Sequence, residues 1–218
     1  MVLTPLIFAP EQPFEGLMSG GKRFRQLAVR ALFVLWIPAV LIPGTYLLAR
    51  HVITMPKPAT SDPAIATAVL RSRSHEEQKG WLALHVLYSE CGCSQRVLSK
   101  LLLRAARKDA HERIVLVGED DGSTERKARA LGYGFEKVVR DELIERYHLE
   151  AAPLLVVADP TDAIRYVGGY TDRKQGNVIH DGDIVRNLVE GREVDSLPTF
   201  GCAVSKKLKS AVDPLGLR

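Results

Sequence analysis

The sequence predicts an α/β domain, a mixed β-sheet flanked by helices, preceded by a single transmembrane helix. Short apolar runs alternate with amphipathic segments, a pattern typical of parallel strands joined by helices. The last two apolar runs are separated only by the turn sequence at residues 159–162, which predicts an antiparallel hairpin in the same sheet. Ahead of the domain, residues 31–49 carry no formal charge, as expected for a segment that crosses a membrane.

The composition is that of an ordinary globular protein and excludes several classes. Of the 218 residues, 46% are apolar and 26% charged, which excludes disordered and collagen-like chains. The net charge of +4 comes without a stripe of Arg and Lys interleaved with aromatic residues, so we expect no nucleic-acid partner. The chain has neither a Walker loop nor a G-x-G-x-x-G motif, and we expect no cofactor.

Residues 27–49 are predicted to form the transmembrane helix. About 20 apolar residues are needed to cross the hydrocarbon core, and Arg30 is close enough to one end to extend towards the headgroups. The apolar stretch is longer than that of a signal peptide, and the sequence around Ala49 is a poor cleavage site. We therefore predict an uncleaved anchor.

Basic residues around this helix predict its orientation. The basic residues and the histidine nearest the apolar core are Lys22, Arg23, Arg25 and Arg30 before it, and Arg50, His51 and Lys57 after it. Because positive residues are retained on the cytoplasmic side, residues 1–26 are predicted to be a cytoplasmic arm. We thus expect a single-pass protein of the inner (cytoplasmic) membrane, with its C-terminal domain in the periplasm or outside the cell.

Composition predicts three segments after the transmembrane helix. Residues 50–63 include three prolines in MPKPATSDP, which predicts a stiff, extended linker. The globular domain is predicted over 64–200. Residues 201–218 contain the basic stretch SKKLKS and are expected to form a basic C-terminal tail.

Periodicity within the domain predicts nine elements. In chain order they are a helix at 64–79, a strand at 81–89, a helix at 94–108, a strand at 113–120, a helix at 123–131, a helix at 141–148, strands at 151–160 and 163–167, and a helix at 181–190.

Two cysteines lie where the first strand meets the next helix. Cys91 and Cys93 stand in the sequence ECGCS, and free N–H groups at a helix N-terminus lower the pKa of a thiol. The charge of Glu90 acts in the opposite direction. A disulfide across C-x-C would close a tight, strained ring, which suits a disulfide donor or an isomerase. Two thiols at this junction are poorly explained as packing residues and indicate thiol chemistry.

These features resemble the thioredoxin-like family over residues 81–191. The resemblance rests on the cysteines after the first core strand, on Pro153 directly before a later strand, and on the closing hairpin and helix. It implies a thiol–disulfide oxidoreductase that acts on protein thiols and disulfides, with Cys91, Cys93 and Pro153 as the site residues. The single anchor also resembles the tethered thioredoxin-like proteins of the bacterial periplasm.

The motif departs from the family's C-x-x-C. Cys91 and Ser94 span a C-x-x-S spacing, which would make Cys91 the nucleophile; alternatively, Cys93 takes the second position and Glu90 replaces the first cysteine. Our prediction is that Cys91 is the nucleophile and that Cys93 is the resolving or partner thiol.

Pro153 and Cys202 each leave two alternatives open. A cis peptide bond before Pro153 would expose the backbone of Ala152 to an extended substrate segment, whereas an ordinary proline can simply start a strand. Cys202 follows the last predicted helix. It either pairs with Cys91 or Cys93, giving a relay of three cysteines, or remains solitary.

Two other functions remain open. Cys91, Cys93 and Cys202 could hold Cu(I), as in the anchored Sco-type copper chaperones, although the motif of that group is absent. The chain could also be a non-catalytic accessory or assembly subunit of a membrane complex. The spacing of Cys and His predicts no structural zinc site, His85 is expected inside the first strand, and His148 is expected at the surface.

Overall fold

The computed structural model describes residues 19–52, 54–174 and 176–213, with side chains from 24–47 in the first of these ranges. It divides into two units, residues 1–51 and 52–218. Most of the expected cytoplasmic arm, residues 1–18, and the last five residues of the expected tail, 214–218, lie outside the described residues.

The first unit contains one long helix, α1 (Ser19–Val52), which includes Pro38 and Pro43. Its segment Phe24–Leu47 is apolar over 24 residues, and none of its most apolar window is buried. At 1.5 Å per residue it extends for about 36 Å, more than the ~30 Å of a bilayer core. By length and composition this helix can cross a membrane, a property that an N-terminal signal sequence shares.

The second unit is built on a five-stranded mixed sheet of order β3-β2-β1-β5-β6. Its strands are β1 (Leu82–Tyr88), β2 (His111–Val117), β3 (Gly134–Val138), β5 (Leu154–Ala158) and β6 (Ile164–Gly168). β1 runs parallel to β2, and β2 to β3, whereas β5 is antiparallel to both β1 and β6. The mixed sheet with its final hairpin confirms the predicted fold class.

A small second sheet pairs β4 (Ala151–Ala152) with β7 (Cys202–Ala203) in antiparallel orientation. The helices of this unit are α2 (Pro63–Ser72), α3 (Gly92–Leu101), α4 (Ser123–Ala130), α5 (Arg140–Tyr147), α6 (Asp181–Val189) and α7 (Lys206–Val212).

Side chains of β1 alternate between two apolar layers, so that helices cover both faces of the sheet. Leu82, Leu84 and Val86 point into one layer, which includes residues of α2 and α5. Ala83 and Leu87 point into the other layer, which includes residues of α3, α4 and α6. The central strand is buried on both faces, which explains why its sequence is almost continuously apolar.

Several expectations differ from the structure. β3 has no counterpart among the predicted elements, and the helix predicted at 64–79 ends at Ser72. The helix predicted to reach residue 108 ends at Leu101, although apolar residues continue beyond it. Met55, expected in an extended linker, is buried and pairs with Thr199 through a bridge. Residues 202–212 of the expected tail form β7 and α7, because Ala203, Val204 and Leu208 have apolar partners in the domain.

Candidate functional site

The end of β1 places Cys91 at the start of a helix. The strand stops at Tyr88, and the Cys91 N–H donates to the Tyr88 carbonyl at 3.0 Å, which closes a tight turn. Cys91 is then the N-cap of α3, is fully buried and has an extended backbone. Cys91 therefore directly precedes the residues whose free N–H groups begin α3. At this position the N-terminus of a helix stabilises a thiolate.

Cys91 forms a disulfide with Cys202, 111 residues later in the chain. The two Cα atoms are 6.0 Å apart, within the normal range for a disulfide. Of the alternatives left open by the sequence, the structure thus has Cys202 joined to Cys91 rather than solitary or joined to Cys93. Cys93 is a free, half-buried cysteine.

The backbone brings Cys202 to this place. β7 pairs with β4 so that Cys202 lies opposite Ala152 and Ala203 opposite Ala151. The Val204 N–H extends the pairing by donating to the Glu150 carbonyl at 2.7 Å. Because β4 directly precedes Pro153, this pairing sets the disulfide beside the proline.

The peptide bond between Ala152 and Pro153 is cis, as one of the two alternatives predicted. The Cys91 sulfur lies 3.8 Å from the carbonyl oxygen of Ala152. The structure therefore brings Cys91, Cys202 and the cis-proline into direct proximity. Pro153 and Cys93 in turn both line a small cavity of about 30 Å³, together with Phe200.

Close approach of the returning chain requires glycine at two positions. A Cβ added to Gly201 would lie 2.0 Å from the carbonyl oxygen of Ala152, and one added to Gly169 would lie 2.0 Å from that of Pro198. Since real Cβ atoms do not approach so closely, neither position accepts a side chain without movement of the backbone.

A group of polar side chains lies next to the cysteine turn. The Tyr88 hydroxyl donates to Glu90 at 2.5 Å, and Arg140 donates to the same carboxylate at 2.7 Å. The hydrogen bond from Tyr88 and the charge of Arg140 lower the pKa of Glu90, while burial and Glu90 raise the pKa of Tyr88 to about 12. The Glu90 charge, expected to oppose a Cys91 thiolate, is thus partly compensated by Arg140.

Cys202 lines a second cavity of about 280 Å³. Its wall includes three cations, Arg140, Lys206 and Lys209, as well as the Tyr88–Glu90 pair. Sequence reasoning missed this cavity, because α7 was expected to be a tail.

The buried histidine His85 belongs to a different group of residues. Its ring nitrogens lie 3.0 Å from the Tyr170 hydroxyl and 3.3 Å from Glu112, which confirms that it is an interior residue with hydrogen-bond partners. Among the described residues, His85, Glu112 and Asp181 bring three potential metal-ligand atoms within 4.8 Å of one another. Arg104 already forms ion pairs with Glu112 at 2.7 Å and with Asp181 at 2.6 Å. The group is therefore an ion-pair network around two buried carboxylates. His148 is exposed, as predicted.

The strand order, the disulfide at the first strand-to-helix junction and the adjacent cis-proline define a thioredoxin-like fold. No family model matches the chain, and no curated protein matches it. Several solved structures are similar to it at low identity.

Three of these structures give the range of similarity. A hypothetical protein from Sinorhizobium meliloti 1021 is 19% identical with a TM-score of 0.42, covering 59% of this chain and 80% of its own. An uncharacterized conserved protein from Geobacillus kaustophilus is 20% identical with a TM-score of 0.43, and the match covers 70% of this chain and 90% of that protein. The thioredoxin domain of a thiol-disulfide oxidoreductase from Bacteroides vulgatus is 15% identical with a TM-score of 0.34, and the match covers 64% of this chain and 91% of that domain. Since all three TM-scores are below 0.5, the assignment rests on this chain's own topology and site.

Proposed function

We propose that this chain is a membrane-anchored thiol–disulfide oxidoreductase that acts on protein thiols and disulfides outside the cytoplasm. One observation carries the proposal: a disulfide that joins the N-cap residue of α3 to a cysteine paired with the residue before a cis-proline. In the reduced protein, the N-terminus of α3 stabilises the thiolate of Cys91, and the thiolate is the reactive form.

The exchange takes place in two steps. The Cys91 thiolate attacks one sulfur of a substrate disulfide, forms a mixed disulfide and releases the other substrate sulfur as a thiolate. The Cys202 thiolate then attacks the Cys91 sulfur, which releases the second substrate thiolate and forms the Cys91–Cys202 disulfide. The substrate gains two electrons, and the same steps in reverse oxidise a substrate dithiol.

Cys202 replaces Cys93 in our proposal for the resolving thiol. The support is its bond to Cys91, whereas Cys93 is a free cysteine. Pro153 shapes the groove in which the substrate lies. The sequence motif by itself predicts Cys93 as the resolving thiol, and the two variants Cys93→Ser and Cys202→Ser separate this competing prediction from ours.

The proposed location rests on α1 and on the disulfide. The excess of basic residues before the apolar core supports a cytoplasmic N-terminal segment and a domain in the periplasm or outside the cell. A disulfide that closes a loop of 111 residues is typical of such oxidising compartments.

Exchange activity tests the proposal. The full chain in detergent micelles should accelerate the reduction of insulin by dithiothreitol, followed as turbidity, and Cys91→Ser should lower the rate to that without protein. Cys202→Ser is the matched control, because it loses the same disulfide but keeps the nucleophile.

With Cys202→Ser that has been reduced and freed of dithiothreitol, a mixed disulfide with insulin should accumulate on Cys91, as seen by non-reducing electrophoresis. Cys93→Ser should continue to turn over. Exchange that survives Cys91→Ser would refute the proposal and favour a non-catalytic accessory role. A mixed disulfide that accumulates in Cys93→Ser instead would return the resolving role to Cys93.

A further inference from the structure

The cavity of about 280 Å³ that Cys202 lines, called here the Cys202 cavity, is separate from the cavity that contains the cis-proline. Its wall is formed by the cysteine turn, by β7 and α7, and by Arg140 at the start of α5. The small cavity that contains Pro153 and Cys93 shares none of these lining residues. The described part of the domain therefore offers a second approach to the disulfide, from the side of Cys202.

A thiol that enters the Cys202 cavity meets Cys202 and not Cys91. Cys202 is half-buried and lines the cavity, whereas Cys91 is fully buried and is not part of its wall. When a thiolate attacks one sulfur of a disulfide, the other sulfur leaves as a thiolate, and it leaves faster when its pKa is lower. Attack at Cys202 expels Cys91, whose thiolate the N-terminus of α3 stabilises. The approach that the cavity allows is therefore also the chemically favoured one.

The charges of the wall favour an anion. Arg140, Lys206 and Lys209 line the cavity together with two carboxylates, Glu90 and Asp213. The Glu90 carboxylate is already bound by Arg140 at 2.7 Å, and Lys209 interacts with it only at longer range. In the described part of the chain, Lys206 and Lys209 thus keep exposed ammonium groups without a direct ion-pair partner.

The volume limits the ligand to a small molecule. About 280 Å³ is at the lower end of the range of pockets that bind small ligands. A ligand that uses both the cations and the disulfide needs a carboxylate and a thiol in the same small molecule.

We propose that the Cys202 cavity binds a small carboxylate-bearing thiol that reduces the disulfide through Cys202. The thiolate bonds to the Cys202 sulfur, and the Cys91–Cys202 bond breaks with its electron pair on Cys91. A second molecule of the thiol attacks the small-molecule sulfur of this mixed disulfide and releases the Cys202 thiolate. Two small thiols become one small disulfide, and the protein disulfide gains two electrons and two protons.

This inference rests on the proposed exchange function and names the class of reductant that returns the site to its dithiol form. Protein substrates and the small thiol then approach the disulfide from different sides, the former beside Pro153 and the latter through the Cys202 cavity.

Rates of disulfide opening test the inference in the oxidised full chain in detergent micelles. The two probes are 3-mercaptopropionate, which carries a carboxylate, and cysteamine, which is of similar size and carries an ammonium group. Each rate constant is divided by that of the same thiol with hydroxyethyl disulfide, a neutral reference that cancels differences in intrinsic reactivity. The normalised rate should be at least about fivefold higher for 3-mercaptopropionate, and added potassium chloride should reduce this preference because salt screens the charges.

Two lysines of α7 provide matched variants. Lys209→Gln should lower the preference about two- to fivefold, because it removes one cation from the wall. Lys207 is exposed on the same helix but does not line the cavity, so Lys207→Gln should leave the preference unchanged.

The attacked sulfur is identified by a brief reaction of the oxidised Cys93→Ser variant with 3-mercaptopropionate, stopped with N-ethylmaleimide. Mass spectrometry should find the mercaptopropionate on Cys202 and the alkyl group on Cys91. The reverse assignment would contradict entry through the Cys202 cavity.

Insulin reduction separates this inference from the proposed function. If the two probes open the disulfide at equal normalised rates, or if the two lysine variants behave alike, the cavity inference is wrong while Cys91-dependent insulin reduction remains. If insulin reduction survives Cys91→Ser, the proposed function fails whatever the preference among the small thiols.

Discussion

Serine in place of Cys202 should lower the free energy of unfolding of the domain by about 2–5 kcal/mol. The Cys91–Cys202 disulfide closes a loop of 111 residues, and a long closed loop restricts the unfolded chain strongly. Urea unfolding of the full chain measures the loss through the fluorescence of Trp81, in a Trp36→Phe background that removes the signal of α1. Trp81 directly precedes β1 and is partly buried against the core.

Cys93→Ser is the matched control, because Cys93 is a free, half-buried cysteine. It should change the free energy of unfolding by less than about 1 kcal/mol. Reduction of the parent protein should bring its stability down to that of Cys202→Ser. Equal losses in the two serine variants, or a parent protein that dithiothreitol does not destabilise, would contradict the Cys91–Cys202 pairing.

Methionine in place of Arg104 should cost about 3–5 kcal/mol of unfolding free energy at neutral pH. Arg104 donates to both oxygens of Glu112, at 2.8 and 2.7 Å, and to Asp181 at 2.6 Å. The Glu112 side chain is fully buried and that of Asp181 is 4% exposed, so removal of the cation leaves two carboxylates without their charge partner. The control Arg186→Met breaks an exposed pair with Asp183 and should cost less than about 1 kcal/mol.

The pH dependence of the Arg104→Met loss gives its cause. Burial raises the pKa of Glu112, but hydrogen bonds from Arg104 and His85 outweigh it and hold the pKa well below its usual range. A carboxyl with a lowered pKa stabilises the fold above its unfolded pKa of about 4.3, and this stability is lost as the pH falls. The difference between Arg104→Met and the parent should therefore shrink below about pH 4. A difference that stays constant with pH would attribute the loss to lost packing contacts of the Arg104 side chain.

Local pattern was enough to predict much of the fold and part of the site. Strands such as β1 and β5 have continuous apolar sequences because both faces are buried, and this pattern is visible without any structure. The position of Cys91 at a helix start follows from the end of one pattern and the start of the next. The resemblance to thioredoxin-like proteins leaves a cis bond before Pro153 as one of two alternatives, and the structure has the cis bond.

The pairing of β4 with β7 could not be predicted from a local sequence pattern. Cys202 and Ala203 form a strand of only two residues, too short for any periodicity, and they pair with a strand 50 residues earlier. The basic residues of α7 resemble a solvated tail, although Leu208 is buried in a cluster with Met55 and Ala151. The signal that could have revealed the strand was the combination of an odd cysteine with a preceding glycine, Gly201.

The most direct test of the central claim is a map of the three cysteines in the full chain taken straight from membranes, with thiols alkylated at lysis and peptides identified by mass spectrometry. We predict a disulfide between Cys91 and Cys202 and an alkylated Cys93. In native protein treated with increasing dithiothreitol, Cys91 and Cys202 should become alkylated together. A disulfide between Cys91 and Cys93, or a Cys202 that is already alkylated in untreated membranes, would contradict the account.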